Sequence, residues 1–156
     1  MSELRVEKRR ETADVTFVTG STLSGVFFLS GSSQVRTGPE RVGDVLNFQD
    51  GFFPFESDGV TSLINREHVL KVALPAQMIE PELDTGYHMA TRREVRMLLT
   101  NGEALIGQVV IFRPQGHDRL SDYARIDERF RYVELADRTL LVNSAHIVAL
   151  TEVGQS

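Results

Sequence analysis

The side chains that could do chemistry in this chain come in pairs. His68 and His146 each stand three positions after an asparagine, Asn65 and Asn143. Arg41 and Asp44, like Arg119 and Asp122, are also three apart. A metal reading of the histidines needs further His or carboxylate ligands close by. The other two, His88 and His117, are remote in sequence, and no HExxH spacing is present. A histidine that satisfies a turn is the better reading of both. The asparagines suit turn chemistry, since Asn tolerates left-handed backbone and bonds neighbouring amides; the functional alternative is an amide that reads a nucleic-acid base. Each Arg/Asp pair fits one helical turn, with the Asp capping backbone N–H groups or pairing with the Arg. Ser24 in Gly20-Ser21-Thr22-Leu23-Ser24-Gly25 lacks the spacing of a nucleophile elbow, and there is no GxxxxGK[ST] phosphate loop. The expectation is a protein that is not an enzyme and uses no cofactor or metal. Recurrence supports a structural role for these pairs, because a fold needs its turn twice and an active site rarely needs both.

The pairing extends along the chain. Arg41–Val72 lies over Arg119–Leu150 without a gap at a shift of 78, with eight identities: Arg41/Arg119, Asp44/Asp122, Phe52/Phe130, Glu56/Glu134, Thr61/Thr139, Leu63/Leu141, Asn65/Asn143 and His68/His146. Upstream, Gly20/Gly102, Leu23/Leu105 and Gly25/Gly107 match at a shift of 82. One loop length change between two matched blocks points to two copies of a folded unit, since loops tolerate insertions and packed strands do not.

Apolar alternation, turn residues and glycines predict five short strands per copy. In the first they follow Thr12, then cover Thr22–Leu29, Gly51–Glu56, Val60–Asn65 and His68–Leu74, with a helical turn at Arg41–Asn47 and a tight or single 3₁₀ turn at Arg66-Glu67. In the second they cover Val95–Thr100, Glu103–Phe112, Arg129–Leu135, Arg138–Asn143 and His146–Glu152, with the helical turn at Arg119–Arg125. Gly25 and Gly107 sit inside second strands, where glycine marks a bend or bulge. The expected organisation is a charged arm at 1–11, a first small β-barrel at 12–74, a linker at 75–91 and a second barrel at 92–153. A strongly coiled five-stranded sheet of this size can close on itself.

A net charge of −5 disfavours a dedicated nucleic-acid binder, which needs a positive surface to displace counterions from phosphate. The absence of cysteine excludes disulfides and thiolate sites. No apolar run reaches the roughly 18–20 residues that span a bilayer, and the first residues lack a signal-peptide core, so a cytoplasmic location is expected.

The glycine-spaced strands and tight strand pair resemble the Sm-like small-barrel family. The carriers are Leu98-Leu99-Thr100-Asn101-Gly102-Glu103-Ala104-Leu105-Ile106-Gly107 and, less closely, Phe17–Gly25, together with Leu63–Leu70 and Leu141–Val148. The resemblance implies two tandem five-stranded barrels. It also implies an RNA-base pocket, but the Arg-Gly of that pocket reads Asn65-Arg66 in one copy and Asn143-Ser144 in the other, while Asp44 and Asn47 lie at altered spacing. The chain is also similar to uncharacterised bacterial proteins with an Arg-Leu-Ser-Asp-like turn, here Arg119-Leu120-Ser121-Asp122. Arg5 and Arg9 resemble the paired arginines of PilZ cyclic-dinucleotide barrels, without the matching Asp/Asn-x-Ser-x-x-Gly element.

The favoured function is a non-catalytic assembly or adaptor module whose partner is a protein or a second copy of itself. It would act through strand edges and the aromatic patch of Phe52, Phe53 and Phe55. Phe53 enters that patch because the matched position is Arg131, which suggests a wet face; the other reading buries Phe53 between the two barrels. The alternative is single-stranded RNA binding through Asn65, Arg66, Asn143 and the cluster of Arg92, Arg93 and Arg96. Cyclic-dinucleotide sensing is a minor alternative.

Overall fold

The computed structural model describes residues 8–31, 39–47, 51–76, 89–111, 119–125 and 128–154. The first half holds β1 (Lys8–Phe17), β2 (Thr22–Ser30), α1 (Val42–Asn47), β3 (Phe52–Ser57), β4 (Val60–Asn65) and β5 (Val69–Ala73). The second holds β6 (Thr91–Leu99), β7 (Ala104–Ile111), α2 (Leu120–Ala124), β8 (Phe130–Glu134), β9 (Thr139–Asn143) and β10 (Ile147–Glu152). A three-residue 3₁₀ turn joins β4 to β5 at Arg66–His68 and β9 to β10 at Ser144–His146. The all-β expectation holds, as does the helical turn in each half, and of the two forms expected at Arg66-Glu67 the 3₁₀ turn is the one observed.

The ten strands form one open antiparallel sheet in the order β10-β6-β7-β8-β9-β5-β1-β2-β3-β4. The two groups of five are therefore segments of a continuous sheet. Within each group the order is the same: the fifth strand beside the first, then the second, third and fourth. The groups meet where β5 pairs with β9, in the register Lys71↔Val142, Val72↔Leu141 and Ala73↔Leu140. This leaves β4 and β10 as the two edges.

Local chemistry explains the elements. Positive φ at Gly20 and Gly102 turns the β1–β2 and β6–β7 hairpins. Gly107 is required for close approach: a Cβ there would lie 2.7 Å from Val133 Cγ1 and 2.9 Å from Glu134 O, so β8 could not cross β7. Gly25 does the same beneath the Phe55 ring and the Glu56 carbonyl. The Asp at each helix start accepts a hydrogen bond from the backbone three residues back: Asp44 from Arg41 N at 2.8 Å and Asp122 from Arg119 N at 3.1 Å. Arg41 and Asp44 also form a buried ion pair at 3.6 Å. β1 starts at Lys8, inside the stretch expected as an arm; Arg9 pairs with Leu29 and Arg10 with Phe28 across the ladder. The expected linker falls largely on 77–88, outside the described residues.

Two apolar clusters form, one per half, and they exchange members. The first contains Val15, Phe27, Leu29, Phe53 and Phe55 together with Phe130 and Leu141 of the second half. The second contains Val95, Met97, Val109 and Ile111 together with Leu70 of the first half. No helix among the described residues is long and apolar enough to cross a membrane.

Candidate functional site

The paired polar residues serve the turns. Asn65 Oδ1 accepts from Glu67 N at 3.0 Å and Asn143 Oδ1 from Ala145 N at 3.1 Å, capping the 3₁₀ turns. Both asparagines have extended backbone, not the left-handed geometry that was one reason to expect Asn there. The main-chain carbonyl of His68 accepts from Val18 N and that of His146 from Thr100 N, each at 2.9 Å. The described residues hold no cluster of His, Asp and Glu that could bind a metal. His88 and His117 lie outside the described residues.

The second half adds contacts that cross to the first. Asn143 Nδ2 donates to Val69 O at 2.9 Å and Arg66 O at 3.3 Å. His146 Nε2 lies 3.0 Å from Glu67 O; a carbonyl only accepts, so Nε2 carries a proton. Lys71 of β5 pairs with Glu103 of the β6–β7 turn at 2.7 Å. Asn47, at the end of α1, grips the main chain of Phe130 twice: Nδ2 donates to its carbonyl at 3.0 Å, and Oδ1 accepts from its N–H at 2.6 Å. Gly43 lets α1 lie against Tyr132, where a Cβ would come within 2.9 Å of the Tyr132 Cζ. Sequence comparison missed Asn47, although its mismatch with Arg125 was the available signal.

The aromatic patch is corrected. Phe53 and Phe55 are fully buried. Phe53 stacks on Phe27 at 5.4 Å, and Phe55 meets the same ring edge-on at 5.1 Å. The inference from Arg131 fails because Arg131 is itself buried, with Nη1 donating to Tyr123 O at 2.6 Å. In the first half the matching helix carbonyl, Val45 O, accepts from Arg66 Nη2 at 2.7 Å, and Arg66 lies over the Phe53 ring. The two halves thus reach the matching helix carbonyl with arginines from different elements, the 3₁₀ turn in the first and β8 in the second: Arg66 with Phe53 in the first, Arg131 with Ser144 in the second.

Burial also divides the nucleic-acid set. Arg66 and Asn143 face the interior. Arg92 is paired with Glu134 at 2.7 Å and Arg93 with Glu152 at 3.3 Å. Only Asn65 and Arg96 keep accessible surface without such a pairing among the interactions described here, and Asn65 is partly covered. Arg9 donates to Glu40 O at 2.8 Å, and Arg5 is outside the described residues.

The exposed apolar residues lie chiefly at the two ends of the sheet. Phe52 is 57% exposed and its twin Phe130 is buried; Leu63 is 69% exposed and its twin Leu141 is buried. On the opposite edge Val148 is 60% exposed, while Leu70, at the matching place in β5, is buried. All five residues of β9 are buried, whereas the first four of β4 are exposed. β9 is covered by β5; β4 has no strand on its outer side among the described residues. A shallow groove of about 410 Å³ lies elsewhere, beside the hydrogen-bonded Asp14 and Ser24.

Comparison with protein-family models, curated proteins and solved structures finds no match to this chain.

Proposed function

We propose that this chain is a non-catalytic assembly module that binds protein through its two free strand edges, β4 and β10. Each half is read as a small barrel-like unit of the Sm-like type, a reading supported by the shared strand order and the separate apolar clusters. The observation that carries the proposal is the fate of identical residues. Phe52 and Leu63 have twins that are buried where an edge is covered, yet are exposed themselves. An uncovered edge offers a row of backbone donors and acceptors, and an added strand satisfies them while covering the apolar side chains. Burying one Leu or Phe is worth roughly 1.5–3 kcal/mol, so two or three such residues can hold a partner.

The test places a photo-reactive amino acid at Ser62 in β4, at Ala149 in β10 and, as a control off both edges, at Arg96. Crosslinks to protein in living cells that concentrate at Ser62 and Ala149 support the reading. Equal labelling at Arg96, or labelling only there, overturns it.

A further inference from the structure

The internal joint between β5 and β9 specifies what fits the free edges. Resting on the edge-binding reading above, we infer that the occupant is a second copy of this chain, joined head to tail, with β10 of one copy pairing antiparallel with β4 of the next. In the duplication β10 stands for β5 and β4 stands for β9. The joint already made inside the chain can therefore be repeated between chains.

Transferring the internal register at the shift of 78 sets Ala149 opposite Ile64, Leu150 opposite Leu63 and Thr151 opposite Ser62 of the next copy. The apolar exchange follows. Phe52 and Leu63 of the next copy enter the second cluster as Phe130 and Leu141 enter the first, and Val148 crosses in return as Leu70 does. The polar contacts have counterparts too. Asn65 Nδ2, which has no hydrogen bond among the described residues, takes the place of Asn143 Nδ2 and donates to the carbonyls of Ile147 and Ser144. His68 takes the place of His146 and donates to the carbonyl of Ala145. Packing of the helix is size-compensated: Gly43 faces the bulky Tyr132 inside the chain, and the corresponding pair between chains is Ser121 against the smaller Pro54.

Three features of the internal joint have no counterpart. Lys71 and Glu103 become Ala149 and Ser21, Asn47 becomes Arg125, and Leu140 becomes Ser62. The joint between chains is consequently the weaker of the two and assembles reversibly with concentration. Because the two surfaces differ, the contact is heterologous and propagates: it closes into a ring or extends as a filament. A closed ring contains an even number of five-strand groups, two from each copy.

The experiment is sedimentation velocity on purified chain over a range of concentrations, with Leu63→Lys and Val148→Lys variants. Both positions are exposed, so both variants are expected to fold, and circular dichroism of each checks it. The wild-type chain forms species larger than a monomer, and each variant alone stays monomeric. Mixed, the two variants form a one-to-one dimer and stop, because one supplies an intact β10 and the other an intact β4. A wild-type chain that stays monomeric at high concentration, or a variant that still dimerises alone, overturns the inference. Register is tested by disulfide formation in a chain without native cysteine. Leu63→Cys with Leu150→Cys crosslinks between copies, and Leu63→Cys with Val148→Cys, two residues out of register, does not. The reverse pattern overturns the register. Monomeric purified chain with edge-specific crosslinks to a foreign protein in cells would end the self-pairing inference and leave the edge-binding function standing; absence of both would end the two together.

Discussion

Leu63 and Leu141 are the same residue at matching places in the two halves of the sheet, and they live in opposite surroundings. Leu141 is buried in the apolar cluster of the other half, and Leu63 is 69% exposed. The neighbouring strand makes the difference, not the residue or its own strand. Burial here is a property of the joint. The largest expected effect that sharpens this contrast is Leu141→Ala, which should cost about 2–5 kcal/mol of unfolding free energy through lost apolar transfer and the cavity left behind. Leu63→Ala should change the stability of the isolated monomer by no more than about 0.5 kcal/mol. Urea denaturation at a concentration where only monomer is present measures both. Equal losses would break the comparison.

The arginine exchange gives the next effect. Arg66 and Arg131 occupy unmatched positions, yet each serves the carbonyl at the same place in its helix, Val45 O or Tyr123 O. Arg66→Ser alone should destabilise by about 2–3 kcal/mol, because a charge-assisted hydrogen bond to a buried carbonyl is lost and a void opens beside Phe53. Adding Phe53→Arg rebuilds the second half's arrangement in the first. A double-mutant cycle should then show favourable coupling of at least about 1 kcal/mol. Strict additivity would mean that the two arginines do unlike jobs.

The smallest effect lies in the second half alone. Burial pushes the Tyr123 hydroxyl up to about 12, with the Arg131 charge opposing it in part. The matching position in the first half is Val45, which cannot titrate. Below pH 10 the phenol is protonated in both folded and unfolded chains. As pH rises from there toward about 12 the unfolded chain ionises first, so stability falls. Tyr123→Phe should leave neutral-pH stability within about 1 kcal/mol and flatten the alkaline decline. Denaturation midpoints between pH 9 and 11 check it, and an unchanged slope in the variant would assign the decline to other groups.

Much of this architecture was legible because it is written locally and twice. The ten strands, the helix capped by Asp44 or Asp122, the 3₁₀ turn after Asn65 or Asn143 and the special glycines each depend on residues close in sequence or repeated in register. The start of β1 was hidden because Arg9, Arg10 and Glu11 carry no apolar alternation; the ladder to β2 holds them, not a buried face. The aromatic patch was misread because an arginine at the matched position was taken to mark a wet face, whereas Arg131 and Phe53 are both buried and the Arg131 guanidinium is satisfied by the Tyr123 carbonyl. The junction itself was illegible. β4 and β9 share Thr, Leu and Asn at matching places, and nothing in either segment states which one β5 will cover. The candidate edges emerge only once that choice is seen.

The composition of β4 has a consequence for handling and expression. Val60-Thr61-Ser62-Leu63-Ile64-Asn65 contains no charge and no proline. Exposed rims are usually guarded by lysines, prolines or bulges that deter stray pairing, and such a segment without them is a nucleus for insoluble cross-β deposits. Overproduction without whatever normally caps this rim should drive the chain into inclusion bodies, and a single lysine at position 63 should act as a gatekeeper and return it to the supernatant.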